Sequence, residues 1–268
     1  MPFEVLRQSI RDYMRSGIIA AILIFILLFY IGDLSVALSS SLSTSAADQL
    51  MNNPLIKALV GNAYIDMNSF EGYMAFKGLS MMGLIVSIYL AFLASSSLAG
   101  EIEHNTIDMS LSLPVKRVEL VISKMLALIP VIALIAVAMI LAIYLSALYI
   151  HHSVDMIWFV YIVLSISMLE LAAGAIAILL SAFLNNGKIA ALSAILIYAA
   201  MYMAETVGSM VSAISPIRNL SLFHYQEISS ILAYHTITWS YMVLLLIVAV
   251  VFTALAAFVF QQRDINIS

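Results

Sequence analysis

The chain has 268 residues, 64% of them hydrophobic and 10% Asp, Glu, Lys or Arg, with a formal net charge of −4. Soluble domains are about 45–50% apolar and about 25% charged, so this composition, with a mean hydropathy of +1.09, excludes a soluble globular fold and points to a polytopic membrane protein. The small negative charge argues against a nucleic-acid partner, which favours a basic surface; the absence of cysteine removes disulfides, thiol nucleophiles and cysteine-ligated metals.

Residues 1–15 come first. Phe3, Leu6, Ile10 and Met14 recur at helical spacing, and Arg7, Arg11 and Arg15 form a second stripe four residues apart. An amphipathic interfacial helix of this kind suits an anionic leaflet; ordinary positive-inside flanking accounts for the same arginines. The apolar run 16–38 is interrupted only by Asp33, placed at interfacial depth near its outer end. It is longer than the about 7–15 residues of a signal h-region, so it is expected to remain as the first span. Residues 39–75 read as an outer subdomain with two short helices. One starts at Ser45; the other has Asn53 as N-cap, Pro54 at the first helical position and Gly61 past its end.

The second span covers 76–100, and the polar stretch 99–124 follows, with seven of the 26 charged residues. The third span covers 120–150 and carries Pro130, read as lying near its start, where a kink costs least. A turn at 151–155 leads to a fourth span at 156–184. Asn185, Asn186, Gly187 and Lys188 make a tight turn into a fifth span at 188–208. Short amphipathic pieces follow, with Gly208 and Pro216 as break points, then a sixth span at 236–260 and a short tail.

The expected fold class is an all-α polytopic membrane protein, one domain with six transmembrane helices. Six spans put both termini on one side. Eight Lys and Arg residues lie on that side and three (Lys57, Lys77 and Arg218) on the other, so the positive-inside bias makes the termini and the 99–124 stretch cytoplasmic. The halves show no internal repeat, which leaves an inverted-repeat transporter unsupported.

Glu170 lies midway along the fourth span. A carboxyl group in hydrocarbon costs about 2.5 kcal/mol or more, so it faces the bundle interior or water. Lining a translocation path and packing as a hydrogen-bonded carboxyl both fit it. Gly174, Ala177 and Ser181 continue its face with small residues that favour close helix contact. His151 and His152 point apart on a helix, and no metal-binding spacing occurs. His224 and His235 fall on the outer side, where pH sensing is conceivable, as does the sequon at Asn219. The 16 Met and 13 Tyr are scattered as lipid-packing and interface residues.

Read as a helix over 101–113, the polar stretch puts Glu101, Asn105, Asp108 and Ser112 on one stripe and Ile102, Thr106, Met109 and Leu113 on the next. Pro114 stops it, and Lys116 and Arg117 mark headgroup level. A solvated loop fits the same residues. Ala99, Gly100, Glu101, Glu103, Thr106, Leu111, Ser112, Pro114, Arg117 and Lys124 resemble the A-G-E-x-E-x-G-T and L-L-S-x-P pattern of the permease subunits of ABC type-2, export-type transporters. Asn105 stands where glycine is usual. Asn tolerates positive φ, so either a bend is retained there or the helix is continuous. The basic N-terminal helix, the long outer segment, the six spans and the closing Phe258, Phe260, Arg263 and Asp264 extend the resemblance over nearly the whole chain.

The resemblance implies that 101–113 is a coupling helix docked on an ATP-binding subunit. Glu101, Glu103, Thr106, Asp108, Met109, Pro114 and Arg117 would be its coupling residues, with Arg7, Arg11 and Arg15 adding contacts. The chain has no G-x-x-x-x-G-K-[ST] sequence. It is therefore expected to be no enzyme and to bind no cofactor, with ATP and Mg held by two partner ATPase subunits. A second permease, identical or similar, would complete an exporter in the plasma membrane. The alternative is a self-sufficient secondary transporter or channel using Glu170 as its ion or proton site. An intramembrane enzyme finds no nucleophile-and-base set and no G-x-S-x-G sequence.

Overall fold

A computed structural model of the chain describes residues 2–39, 69–103 and 116–263. Among these residues there is no strand, and six helices are long and apolar enough to cross a membrane. The protein is an all-α polytopic membrane protein. The two expected short helices at Ser45 and Asn53, together with Asn105, Thr106, Asp108, Met109 and Pro114, lie outside the described residues.

Helix α1 (Pro2–Ser39) is unbroken. The 1–15 segment, read from the sequence as a separate interfacial helix, is from Pro2 onward continuous with the first span: no proline interrupts the chain at the junction, and Ser16 donates its hydroxyl to the Tyr13 carbonyl at 3.1 Å rather than capping a new helix. Its buried stripe is Val5, Ser9, Tyr13, Gly17, Ala21, Ile24 and Leu28, with Leu6, Ile10 and Met14 packed beside it and Arg7, Arg11 and Arg15 exposed. The stripe packs along α4 (Arg117–Tyr149). Small residues permit the approach: a Cβ on Gly17 would lie 3.1 Å from Val131, and one on Gly32 would strike Ser146.

The second span starts earlier than its apolar run suggests. Ser69 caps α2 (Phe70–Tyr73), accepting from the Gly72 N–H at 3.0 Å. A π-turn (Met74–Leu79) buries Met74 and Leu79, and α3 (Met82–Glu103) completes the span. In α4 the helix begins at Arg117, so Pro130 sits deep inside it rather than near its start. Its missing N–H leaves the Leu126 carbonyl without that donor. At the N-terminus of α4 the Glu119 carboxylate accepts from the Lys116 backbone N–H at 3.3 Å, one half of a capping box.

Helix α5 (Met156–Phe183) is the hub and touches α3, α4, α6 (Gly187–Met210) and α8 (Trp239–Gln262). Its sequence explains why. Ala172, Ala173, Gly174, Ala175, Ala177, Ser181 and Ala182 are all buried, and small residues on every face let several helices approach it at once. A Cβ on Gly174 would come within 2.7 Å of Leu128 on α4.

The side of the bundle away from the N-terminus is closed by 3-10 turns at Ser212–Leu220 and Leu222–Gln226 and by the short α7 (Ile228–Tyr234). Left-handed residues, Glu227 at φ 44° and His235 at φ 52°, punctuate them. Ser165 on α5 donates to the Gln226 carbonyl at 2.9 Å, which pins this cap to the hub. Gly208 is not the break point expected from composition: α6 runs through it to Met210. It instead makes room for Arg218, whose guanidinium holds Glu205 through Nε at 3.2 Å and Nη2 at 2.6 Å. That carboxylate raises the Arg218 guanidinium above its ordinary pKa. A Cβ on Gly208 would lie 2.5 Å from Arg218 Cγ. Gly208→Ala is therefore expected to displace the fork and cost about 1–3 kcal/mol, the usual range for overpacking. Thermal unfolding of the purified protein reads this, and an unchanged midpoint contradicts it.

His224 Nδ1 is 3.2 Å from the same Glu205, His152 Nε2 is 3.1 Å from Glu71, and His235 stacks on Trp158 at 4.7 Å. Among the described residues no group of three or more His, Asp or Glu side chains could hold a metal ion.

Candidate functional site: the charged layer at the N-terminal side of the bundle

The layer begins where α3 ends. Glu101 and Glu103, expected to open a separate surface helix, belong instead to the last turn of α3. Gly100 leaves that turn intact because the helix meets no proline there. Both are bonded to neighbouring helices. Lys124 on α4 donates from Nζ to Glu101 Oε1 at 2.5 Å, with side-chain exposures of 9% for the lysine and 21% for the glutamate. Glu103 reaches the N-terminus of α6, accepting from the Gly187 N–H at 3.0 Å and from Asn186 Nδ2 at 2.9 Å. The Glu103 carboxylate thus sits where the dipole of α6 favours an anion.

Two close approaches hold α3 in this position. A Cβ on Gly187 would lie 3.3 Å from both the Cα and the N of Gly100, so the two backbones meet glycine to glycine. One turn earlier, the Ser181 hydroxyl of α5 donates to the Ser95 carbonyl at 2.8 Å and accepts from the Ala99 N–H at 2.9 Å. Those are the two groups that an ideal helix joins directly. A side chain inserted at this point in the ladder marks a place where a helix can bend.

Basic residues complete the layer. Arg263, just past α8, donates from Nη1 to the carbonyls of Ala182 at 2.8 Å and Leu184 at 3.2 Å, satisfying the C-terminus of α5. Partial burial lowers its pKa below the ordinary arginine value. Arg117 donates from Nη1 to the Arg263 carbonyl at 2.5 Å. The ends of α3, α5 and α8 and the starts of α4 and α6 are therefore joined through Glu101, Lys124, Glu103, Arg117 and Arg263.

Of the residues singled out in the sequence, the structure brings together Glu101, Glu103 and Arg117. Arg7, Arg11 and Arg15 are exposed on the N-terminal half of α1. Glu170 is elsewhere, 1% exposed within the core of α5, accepting from Ser87 Oγ at 3.1 Å, while its Oε1 has no hydrogen-bond partner among the described residues. Sequence reasoning passed over Asn186 and Gly187 as an ordinary turn and Ser181 as a small packing residue. No local pattern marks a hydroxyl that acts on another helix's backbone.

A family model described as ABC-2 family transporter protein matches residues 3–265 of the chain. No curated protein matches it.

Proposed function

The chain belongs to the ABC-2 family of transporter proteins, and we propose that it is the permease of an exporter whose ATP-binding subunit drives the bundle through the charged layer. Family membership makes it an ABC transporter permease, a membrane subunit without catalytic activity of its own that partners an ATP-binding subunit. In our reading both termini and the layer are cytoplasmic, the membrane is the plasma membrane, and two ATPase subunits, each holding ATP and Mg, serve two permeases. Residues 104–115, with Thr106, Asp108, Met109 and Pro114, supply the docking surface, and Arg7, Arg11 and Arg15 add contacts beside it.

The observation that carries this reading is how the residues on either side of that segment are bonded. The segment is bracketed by Glu101–Glu103 and Arg117, and both brackets are bonded to other helices. A push on the segment therefore reaches α4, α6 and α8 at once. Isolation of the complex from native membranes is expected to yield an ATP-binding subunit, with hydrolysis stimulated by the transported substrate. Recovery of a chain that transports on a gradient alone overturns it.

One observation favours the second reading, gradient-driven transport through Glu170: the unpartnered Oε1. The sealing of that side chain against α3 favours a packing role. Glu170→Gln keeps the shape and the acceptor for Ser87. It is expected to leave ATP-driven transport intact and stability within about 1 kcal/mol, since a buried carboxyl carries its own desolvation cost. Abolished transport in a folded variant would favour the gradient mechanism.

A further inference from the structure

Inside the Arg117–Arg263 hydrogen bond that joins their ends, helices α4 and α8 leave a gap along residues 118–129 and 246–261. Between them runs an apolar groove of about 570 Å³, floored by Leu171 of α5 and walled by Ile122 and Leu126 on α4 and by Val250 and Ala254 on α8, with Gln261 at its end. Thr253 also lines it, but its hydroxyl donates to the Ala249 carbonyl at 2.7 Å, which leaves the methyl for the groove. Ile122, Leu126 and Val250 are exposed, so the groove opens towards hydrocarbon. Its walls end in charge. Val118 is the last α4 residue lining it, directly after Lys116 and Arg117; Arg263 follows Gln261 on the other wall. Among the described residues, the acidic group beside Lys116 and Arg117 in the chain, Glu119, is turned back onto the Lys116 backbone N–H. The Arg117 side chain makes one hydrogen bond among the described residues, from Nη1.

We propose that this groove binds an anionic phospholipid, with an acyl chain between α4 and α8 and the phosphate of its headgroup against Lys116, Arg117 and Arg263. An apolar slot beneath a cationic rim at headgroup depth is the arrangement that selects acidic lipids between membrane helices. Guanidinium groups suit a phosphate because of their forked donors. A second copy of the chain fits this face poorly. A two-fold interface places each patch against itself, which here sets cations against cations.

The test uses the purified permease complex, delipidated in mild detergent. It is titrated with phosphatidylglycerol, phosphatidylcholine or soluble glycerol phosphate, and bound lipid is counted by native mass spectrometry. Phosphatidylglycerol is expected to bind in preference to phosphatidylcholine, and glycerol phosphate to compete poorly. Arg117→Gln should weaken phosphatidylglycerol about fivefold, the factor for about 1 kcal/mol per cation near an anionic lipid, without weakening phosphatidylcholine. The exposed Lys116→Gln gives the same readout should the Arg117 variant fail to fold. Ala254→Trp, on a lipid-facing position, fills the slot and should remove both lipids. Equal binding of the two lipids overturns the proposal, as does equal competition by glycerol phosphate. Binding that survives Ala254→Trp does so too, as does conversion of a dimer to monomers by Ala254→Trp with lipid binding unchanged, which would make the groove a protein interface.

Discussion

Lys124→Ala should lower the unfolding midpoint of the purified protein by on the order of 5–10 °C, the largest stability effect expected of a single charge removal here. The lysine is 9% exposed and its Nζ sits 2.5 Å from Glu101. Removing it takes that counter-charge away from the Glu101 carboxylate. Breaking a buried pair costs about 3–5 kcal/mol; Glu101 retains a fifth of its exposure, so about 2–4 kcal/mol is the discounted expectation. At about 2–4 °C per kcal/mol for a chain of this class, that gives about 4–16 °C, and the stated shift is the middle of this range. Removing both partners should cost less than the sum of the two single changes, because the interaction between them is lost only once. Strict additivity in the double-mutant cycle would mean that the pair is not coupled.

The second large effect is expected at the junction of α3 and α6, and it falls on transport more than on stability. Glu103 is exposed, so Glu103→Ala should cost about 1 kcal/mol, the typical value of a lost helix cap. On the proposed function it also disconnects the docking segment from α6. Transport should then fall several-fold while the complex still assembles and its ATPase still turns over. Gly187→Leu strikes the same contact by force. Its side chain meets the Gly100 backbone, which has no rotamer to escape through, so α6 must move away and Glu103 loses both donors. About 1–3 kcal/mol of destabilisation is expected from the overpacking, together with the transport defect of Glu103→Ala. Normal transport by both variants would show that the layer does not carry the motion.

Glu103 also shows where reading from the sequence stops. Its charge and its place after the second span were visible in the chain, and the resemblance marked it as a residue facing an ATPase. Its bonds to Asn186 and Gly187 were not visible, because nothing local relates residues more than eighty positions apart. The same holds for Ser181, whose composition signals only tight packing and whose hydroxyl acts on the backbone of α3. Pro130 and the 1–15 segment were misread for a different reason. Hydropathy finds where a chain enters hydrocarbon, whereas a helix continues for as long as its backbone bonds are satisfied, and α1 and α4 both continue past the apolar boundary.

What the sequence by itself determined was membership of the membrane class, the six spans and the family pattern at 99–124. These follow from about 20 apolar residues per bilayer crossing, from backbone groups that must be satisfied within each helix, and from a motif contiguous in the chain. What only the tertiary structure decided was which helix is the hub, which charges meet and where a groove stays open. Those depend on the rotation and crossing of whole helices, set by small residues such as Gly174, Gly187 and Ser181 at contacts between segments far apart in the chain. In a bilayer, where apolar faces gain little by choosing protein over lipid, such close contacts rather than hydrophobicity select the neighbour.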